Sequence, residues 1–395
     1  MNATQLDITL LCKVVDNFGD IGTAYRLTRA LSDLQRESPF PELKIRIVTD
    51  NLSVFAQLAP AVDASADVQT VCGWEVYNWN AADVCLQEFQ KRPPFVVLEC
   101  FQCGRPDWLD ALLFDIKTPA PVHIIMIDYL TAEPYAETFH RMPSLTRSAR
   151  VTKVNFMPGF TEKTGGLILD QPFMQALKLR PPHSEMSARN FGNAESAAPF
   201  EILFFAYEMN CAPVVRALAN FKAGNVKTLV AQGAGCAAFI EAWEREGKPF
   251  ALERLPFLEQ QRWDELLCRT PLLFVRGEDS LSRACLCGSP FVWHAYPQSE
   301  DYQLVKVKAL LERMRPFFSA EDFPVIERCW LSFNGDGAAE LETTLGAFLS
   351  SYERLCSGFA AFAESVKKSG DLARNVLTFI EKNYILAPID YKSKI

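Results

Sequence analysis

Histidine is scarce in this chain, with four in 395 residues. A Ser-His-Asp relay or a multi-histidine metal centre therefore has few candidates, and polar chemistry falls mainly on carboxylates. Long apolar runs are missing too. Val122–Ile127 and Pro271–Val275 are among the longest, and both are strand-length, well short of the roughly 20 residues that a spanning helix needs. No basic region precedes the apolar run Ile8 to Val15, which Lys13 interrupts, so the expectation is a cytoplasmic chain without a secretory signal or membrane segment. Lysine and arginine never cluster beyond two or three in a row, and the formal net charge is −8. That balance argues against nucleic acid as a principal partner, because phosphate binding draws on clustered cations.

Twelve cysteines would suggest a disulfide scaffold in a short secreted chain, but here they are scattered, and Cys12, Cys268 and Cys329 sit inside apolar or amphipathic runs. They read as small buried hydrophobes in a reducing compartment. Cys100-Phe-Gln-Cys103 could be half of a zinc or redox motif, yet no second such pair or suitably spaced histidine lies nearby. No paired-aspartate motif is evident either, and the expectation is no metal.

With 49% apolar content and a mean hydropathy of zero, the chain has ample material for two packed domains. Strand-like runs at Ile8–Val15, Leu43–Val48, Phe95–Leu98, Val122–Ile127 and Val151–Phe156 alternate with helical patterns. A stretch rich in breakers and small polar residues follows, from Arg180 to Pro199. The alternation then restarts with Glu201–Phe205, Val226–Val230, Ala251–Leu255, Leu272–Val275 and Phe291–Trp293. This rhythm predicts an α/β protein of two Rossmann-like domains, 1–180 and 199–371. The tail from Leu304 to Tyr384 reads as helical, with the segment 372–395 packing back on the first domain.

Two strand-to-helix junctions carry the chemistry. In the first, Ile8–Val15 runs into Asp16-Asn-Phe-Gly-Asp-Ile-Gly22, where Gly19 and Gly22 allow a sharp turn and Asp16 and Asp20 stand at a strand's carboxyl end. In the second, Leu272–Val275 leads to Arg276-Gly-Glu-Asp-Ser280, which surrounds a helix N-terminus suited to an anion. Both sets of carboxylates read equally well as helix caps. Placed in two successive domains, the junctions suit a ligand gripped in a cleft.

At these residues the chain resembles the elongation factor P arginine rhamnosyltransferases. The resemblance spans nearly the whole sequence and rests on Val15-Asp-Asn-Phe-Gly-Asp-Ile-Gly22, Tyr129-Leu-Thr-Ala-Glu133 with His140 and Met-Pro-Ser144, and Phe156-Met-Pro-Gly-Phe-Thr161 with Thr164-Gly-Gly-Leu167. It continues through Phe205-Ala-Tyr207, Gln260 with Trp263-Asp264, Phe274-Val-Arg-Gly-Glu-Asp-Ser280 and Pro290-Phe-Val-Trp-His294. It departs at Trp263, where phenylalanine is common, although an indole can also stack on thymine.

The resemblance implies a glycosyltransferase of the B type, with two domains facing across a cleft. It implies inverting transfer of L-rhamnose from dTDP-β-L-rhamnose to an arginine of elongation factor P, which relieves stalling at proline runs. Asp20 matches the general base, with Asp16 in support; Asn17, Phe18 and Gly19 between them are expected to touch the dTDP-rhamnose donor. Donor contacts carry over onto Phe205, Tyr207, Phe257, Gln260 and Trp263 for the nucleotide, and onto Glu278, Asp279 and Ser280, with Arg276 in reserve, for phosphate and sugar. The first domain would bind the acceptor and the second the donor, with no cofactor beyond that substrate. Phe205 reads equally as core or ligand wall, whereas Tyr207 and Trp263 read as pocket rim. His140 and His294 read as satisfied structural residues before phosphate ligands, and His123 as core. Glu133 opens a helix, where it touches the acceptor or caps. A nucleotide-sugar epimerase on the same scaffold and a non-catalytic module binding the translation factor stand as alternatives.

Overall fold

The computed structural model of the chain describes residues 5–15, 18–35, 42–119, 121–180, 199–222 and 225–385. Two compact units are resolved: Met1–Leu130 with Tyr135–Gln171 and Ser369–Ile395, and Thr131–Pro134 with Pro172–Lys368. The helix Gln171–Lys178 thus falls almost wholly in the second unit, ahead of the breaker-rich stretch, whose residues 181–198 lie outside the described set.

The first unit is built on eight strands: β1 (Gln5–Cys12), β2 (Glu42–Thr49), β3 (Val68–Val71), β4 (Trp74–Asn78), β5 (Val96–Cys100), β6 (Val122–Ile127), β7 (Pro143–Ser144) and β8 (Val151–Phe156). Their order is β3-β4-β2-β1-β5-β6-β8-β7, parallel except for the edge pairs β3–β4 and β7–β8. Parallel strands covered on both faces need near-continuous apolar sequence, and β1 supplies it with Leu6, Ile8, Leu10, Leu11 and Cys12 all buried. Ile8, Leu10 and Cys12 pack with the helices Phe18–Gln35 and Leu372–Ile380 through Leu27, Leu31, Leu372 and Val376. Leu11 points into a second core with Phe89 and Leu109, from the helices Ala82–Lys91 and Asp107–Phe114. That split follows the two-residue period of a strand. The helix Leu372–Ile380 therefore belongs to the first unit's core although it lies near the end of the described chain.

In the second unit β9 (Phe200–Phe204), β10 (Val226–Val230), β11 (Ala251–Arg254), β12 (Leu272–Arg276) and β13 (Phe291–His294) are ordered β11-β10-β9-β12-β13 and all parallel. This is the 3-2-1-4-5 order of a Rossmann half. Such a sheet changes direction between its first and fourth strands, and the crevice beyond their carboxyl ends is where ligands bind. The first unit reverses in the same way between β1 and β5.

Two expectations are corrected by this architecture. The first strand ends at Cys12 and not at Val15, because the Val14 amide is given to the Asp50 carboxylate and the Val15 amide to Asp20, which removes both from the ladder. Gly19 and Gly22 do not form the turn but lie inside the helix Phe18–Gln35, with Gly22 buried.

Candidate functional site

In the first unit, Asp20 sits in the opening turn of the helix that follows β1, beside the point where the sheet reverses. It is buried, 2% exposed, and its two carboxylate oxygens are separately engaged. Oδ2 accepts the Val15 amide at 2.8 Å, and Oδ1 accepts the Tyr129 hydroxyl at 3.2 Å. The Val15 bond is a capping interaction that reaches back from the helix to the preceding loop. Phe18 and Gly19 open the same helix, whereas Asp16 and Asn17 lie outside the described residues.

Other carboxylates follow neighbouring strands. Asp50 comes directly after β2, and Asp128 directly after β6, where it takes both the Tyr129 amide at 2.8 Å and the Gln102 side-chain amide at 3.2 Å. The carboxyl ends of this unit's strands thus present an acidic lining. The nearby thiols stay protonated: burial pushes Cys12 and Cys100 well up and Cys103 up to about 12. Among the described residues no group of three or more His, Cys, Asp or Glu side chains could hold a metal ion.

The second unit gathers the donor-site candidates around the reversal between β9 and β12. Phe205 and Tyr207 follow β9; Arg276 ends β12 and Gly277 follows it. The Arg276 guanidinium lies 4.6 Å from the Phe205 ring centroid and 4.6 Å from that of Tyr207. Among the described residues it forms no ion pair or hydrogen bond, and its Nε is buried without a partner. A guanidinium held by two aromatic faces keeps its charge undischarged and its direction fixed, which suits an incoming anion. Trp263 meets Phe205 edge-on at 5.0 Å and donates its indole N–H to Ser280 Oγ at 3.2 Å. Gln260, Trp263 and Asp264, spaced three and four apart on the helix Gln260–Arg269, share one face. Phe257, 37% exposed, precedes that helix.

Glu278, Asp279 and Ser280 form the first turn of the helix Glu278–Cys287, whose N-cap position is Gly277 at φ 69. Neither Asp279 nor Ser280 therefore occupies the capping position, and a residue with a Cβ would be strained where Gly277 stands. Glu278 pairs loosely with Lys306 at 3.9 Å.

Tyr207, expected at a pocket rim, is instead buried. Its amide donates to His294 Nδ1 at 3.2 Å, and its ring packs edge-on against His294 and Tyr296. His140 repeats that role in the first unit, accepting the Met157 amide at 3.1 Å. His123 in β6 stacks on Tyr384 at 3.6 Å and bonds the Thr152 hydroxyl through Nδ1. Burial holds all three imidazoles down at about 4, so they serve as neutral packing and acceptor groups. Glu133 opens no helix. It is buried in the second unit and accepts the Tyr302 hydroxyl at 3.1 Å.

A loop that motif reading missed completes the second constellation. Gln232-Gly-Ala-Gly235 follows β10, and the Gly235 amide donates to Ala206 O at 3.2 Å. A Cβ on Gly233 would come within 3.2 Å of the Phe205 ring and 3.4 Å of the Arg276 guanidinium, and one on Gly235 within 2.8 Å of two backbone oxygens. A cavity of about 540 Å³ opens beside this loop, lined by Gln232, Gly233, Cys236, Ile240 and Arg254. The signal was a close glycine pair directly after a predicted strand.

A family model described as elongation factor P (EF-P) rhamnosyltransferase EarP matches residues 8–381. The protein-arginine rhamnosyltransferase of Pseudomonas putida is 32% identical over 343 residues, covering 83% of this chain and 86% of its own. A solved structure on the structural basis of EarP-mediated arginine glycosylation of translation elongation factor EF-P superposes with a TM-score of 0.59 at 22% identity, over 96% of this chain and 99% of its own. The UDP-GlcNAc 2-epimerase of Neisseria meningitidis reaches 0.55 at 10% identity, over 96% and 100%. These structural likenesses speak to fold, that of two Rossmann-like domains as in B-type glycosyltransferases and epimerases. The family match spans nearly the whole described chain, and the chain belongs to the EF-P rhamnosyltransferase family, EarP.

Proposed function

We propose that this chain moves L-rhamnose from dTDP-β-L-rhamnose to an arginine side chain of EF-P, with inversion at the anomeric carbon and without a metal, so readying the factor to relieve stalling at proline runs. The observation that carries this reading is the opposite chemistry of the two strand-end linings. Asp20, Asp50 and Asp128 suit a cationic acceptor in the first unit, and Arg276 between two rings suits a diphosphate in the second.

Asp20 serves as the proton acceptor, with Asp16 in support. A free guanidinium has a pKa above 12 and an ordinary carboxylate one near 4, so ground-state transfer would cost about 11 kcal/mol. The proton therefore leaves late. As a guanidinium nitrogen bonds to the anomeric carbon, the bond from that carbon to the diphosphate oxygen breaks, the electron pair departs with dTDP, and the acidified N–H passes to Asp20. Arg276 and the helix amides near Asp279 and Ser280 take up the charge that grows on the leaving group. Phe205, Tyr207, Phe257, Gln260 and Trp263 hold the nucleotide.

The test is to incubate the full chain with dTDP-rhamnose and EF-P and weigh the factor. A gain of one deoxyhexosyl residue is expected; free epimerised nucleotide, or tight binding without turnover, would replace this reading with an epimerase or a silent binding module. Asp20→Asn should abolish transfer and leave donor affinity, measured by calorimetry, unchanged. Near-normal turnover in that variant would remove Asp20 from its role.

A further inference from the structure

We infer that Tyr129 is a positioning residue for Asp20 and is itself held by Phe101, an inference that rests on Asp20 being the proton acceptor. Tyr129 lies two residues past β6, and Phe101 directly past β5, on strands adjacent in the sheet. With the Val15 amide on one Asp20 oxygen and the Tyr129 hydroxyl on the other, the carboxylate cannot rotate without breaking a bond. Tyr129 is 36% exposed against 2% for Asp20, so the hydroxyl belongs to the surface member of the pair.

The tyrosine is in turn fixed. Its ring stacks on Phe101 with centroids 4.9 Å apart and planes 27° from parallel. Phe101 and Gln102 both adopt left-handed backbone, φ 57 and 54, which bulky residues rarely do. That conformation is tied to the β6 turn at two points: the Phe101 amide donates to Ile127 O at 2.7 Å, and the Gln102 amide group reaches Asp128, the residue before Tyr129. Strain of this kind persists where surrounding bonds over-determine it, and here its product is the placement of one aromatic platform. Phe101, Tyr129 and Asp20 thus form a chain of contacts from a strained turn to a carboxylate oxygen.

The experiment is steady-state kinetics of EF-P modification by full-length Tyr129→Phe and Phe101→Leu, beside wild type and Asp20→Asn. Tyr129→Phe keeps the stacked ring and removes the hydroxyl. It should lower kcat by roughly 10- to 100-fold, the scale of a small misplacement of a reacting group, with the donor KM and the thermal midpoint unchanged. Phe101→Leu keeps the hydroxyl and removes the platform, and should show a smaller loss in kcat alone. The inference is overturned if Tyr129→Phe retains kcat within about twofold, or if its loss appears in donor KM or with a matching fall in thermal midpoint. Normal turnover by Asp20→Asn would instead sink the underlying reading. A silent Asp20→Asn beside a wild-type Tyr129→Phe sinks the positioning role alone.

Discussion

Acidification from pH 7.5 to 5.0 should weaken the first unit more than the second. Among the described residues three histidines are held neutral by burial at about 4, against 6.5 for the free side chain: His123 and His140 in the first unit and His294 in the second. Their folded values lie below the unfolded one, so the unfolded chain binds more protons between pH 6.5 and 4. Stability from these groups is complete above 6.5 and drains as pH falls through that window. At pH 5.0 each histidine sits about 1.5 pH units into it, and at 1.36 kcal/mol per unit loses about 2 kcal/mol. Through these histidines the first unit loses about 4 kcal/mol and the second about 2, against total stabilities of about 5–15 kcal/mol for ordinary domains; the Asp7 and Asp371 carboxyls, pushed up by burial in the first unit, return part of its loss. Stopping at pH 5.0 leaves ordinary carboxylates, near 4, largely ionised. Urea titrations of the full chain at both pH values, each pulse-labelled by hydrogen exchange at one common pH, resolve the two units by peptide. Equal shifts of the urea midpoint in peptides of the two units, or no shift at all, would refute the reasoning. A second consequence is local: protonated His294 can no longer accept the Tyr207 amide, and it would place a cation beside Arg276.

Four further outcomes follow from individual contacts. Arg276→Gln should weaken dTDP-rhamnose binding by about 10- to 100-fold, the worth of a charge-assisted hydrogen bond, with no more stability lost than its two ring contacts supply; an unchanged dissociation constant by calorimetry would refute it. Glu278→Ala, in the first turn of its helix, should also weaken donor binding in the same measurement, and unaltered affinity would exclude it from the donor site. Gly235→Ala places a Cβ 2.8 Å from the Ala206 and Tyr207 oxygens, so the second unit should lose about 1–3 kcal/mol in urea. Asp170→Ala strips the carboxylate shared by buried Arg26 at 3.0 Å and Arg29 at 2.9 Å, and should cost about 3–5 kcal/mol by breaking a buried ion pair from one side; a loss below about 1 kcal/mol would contradict this.

The strands of both sheets were legible because parallel strands buried on two faces must be written as apolar runs. All ten predicted runs overlap a strand, from β1 to β13. The pair β3–β4 was not legible: Val68–Val71 alternates with exposed residues at a sheet edge, where no apolar run is required. Val14 and Val15 looked like strand but are loop, since side-chain character cannot reveal that two carboxylates have claimed their amides. Asp20 could be placed at a strand end from sequence, but its bond to Tyr129 spans 109 positions and exists only because β1, β5 and β6 are neighbours. Tyr207 was misjudged for a related reason. Beside charged neighbours in sequence it looked like a rim residue, yet the sheet order brings His294 and Tyr296 against it.

The two sheets use one topological device twice, and the fold alone does not say which charge each reversal carries. That assignment is made by a few residues just past the strands. After β1 comes a helix whose third residue is Asp20, and its carboxylate is locked by donors from the preceding loop and from the end of β6. After β12 the last strand residue is Arg276, and two rings flank its guanidinium in place of a carboxylate. Neither group contributes apolar area to its sheet, and each is fixed by a few polar or aromatic partners. Chemistry on this scaffold is therefore largely separable from stability: substitutions such as Arg276→Gln should alter ligand affinity with little movement of the unfolding midpoint, whereas Asp170→Ala should do the reverse. A fall in stability on removing Arg276 well beyond the roughly 0.5–2 kcal/mol of each ring contact would mean that its charge is already neutralised within the unit, and the case for an anion between Phe205 and Tyr207 would fail.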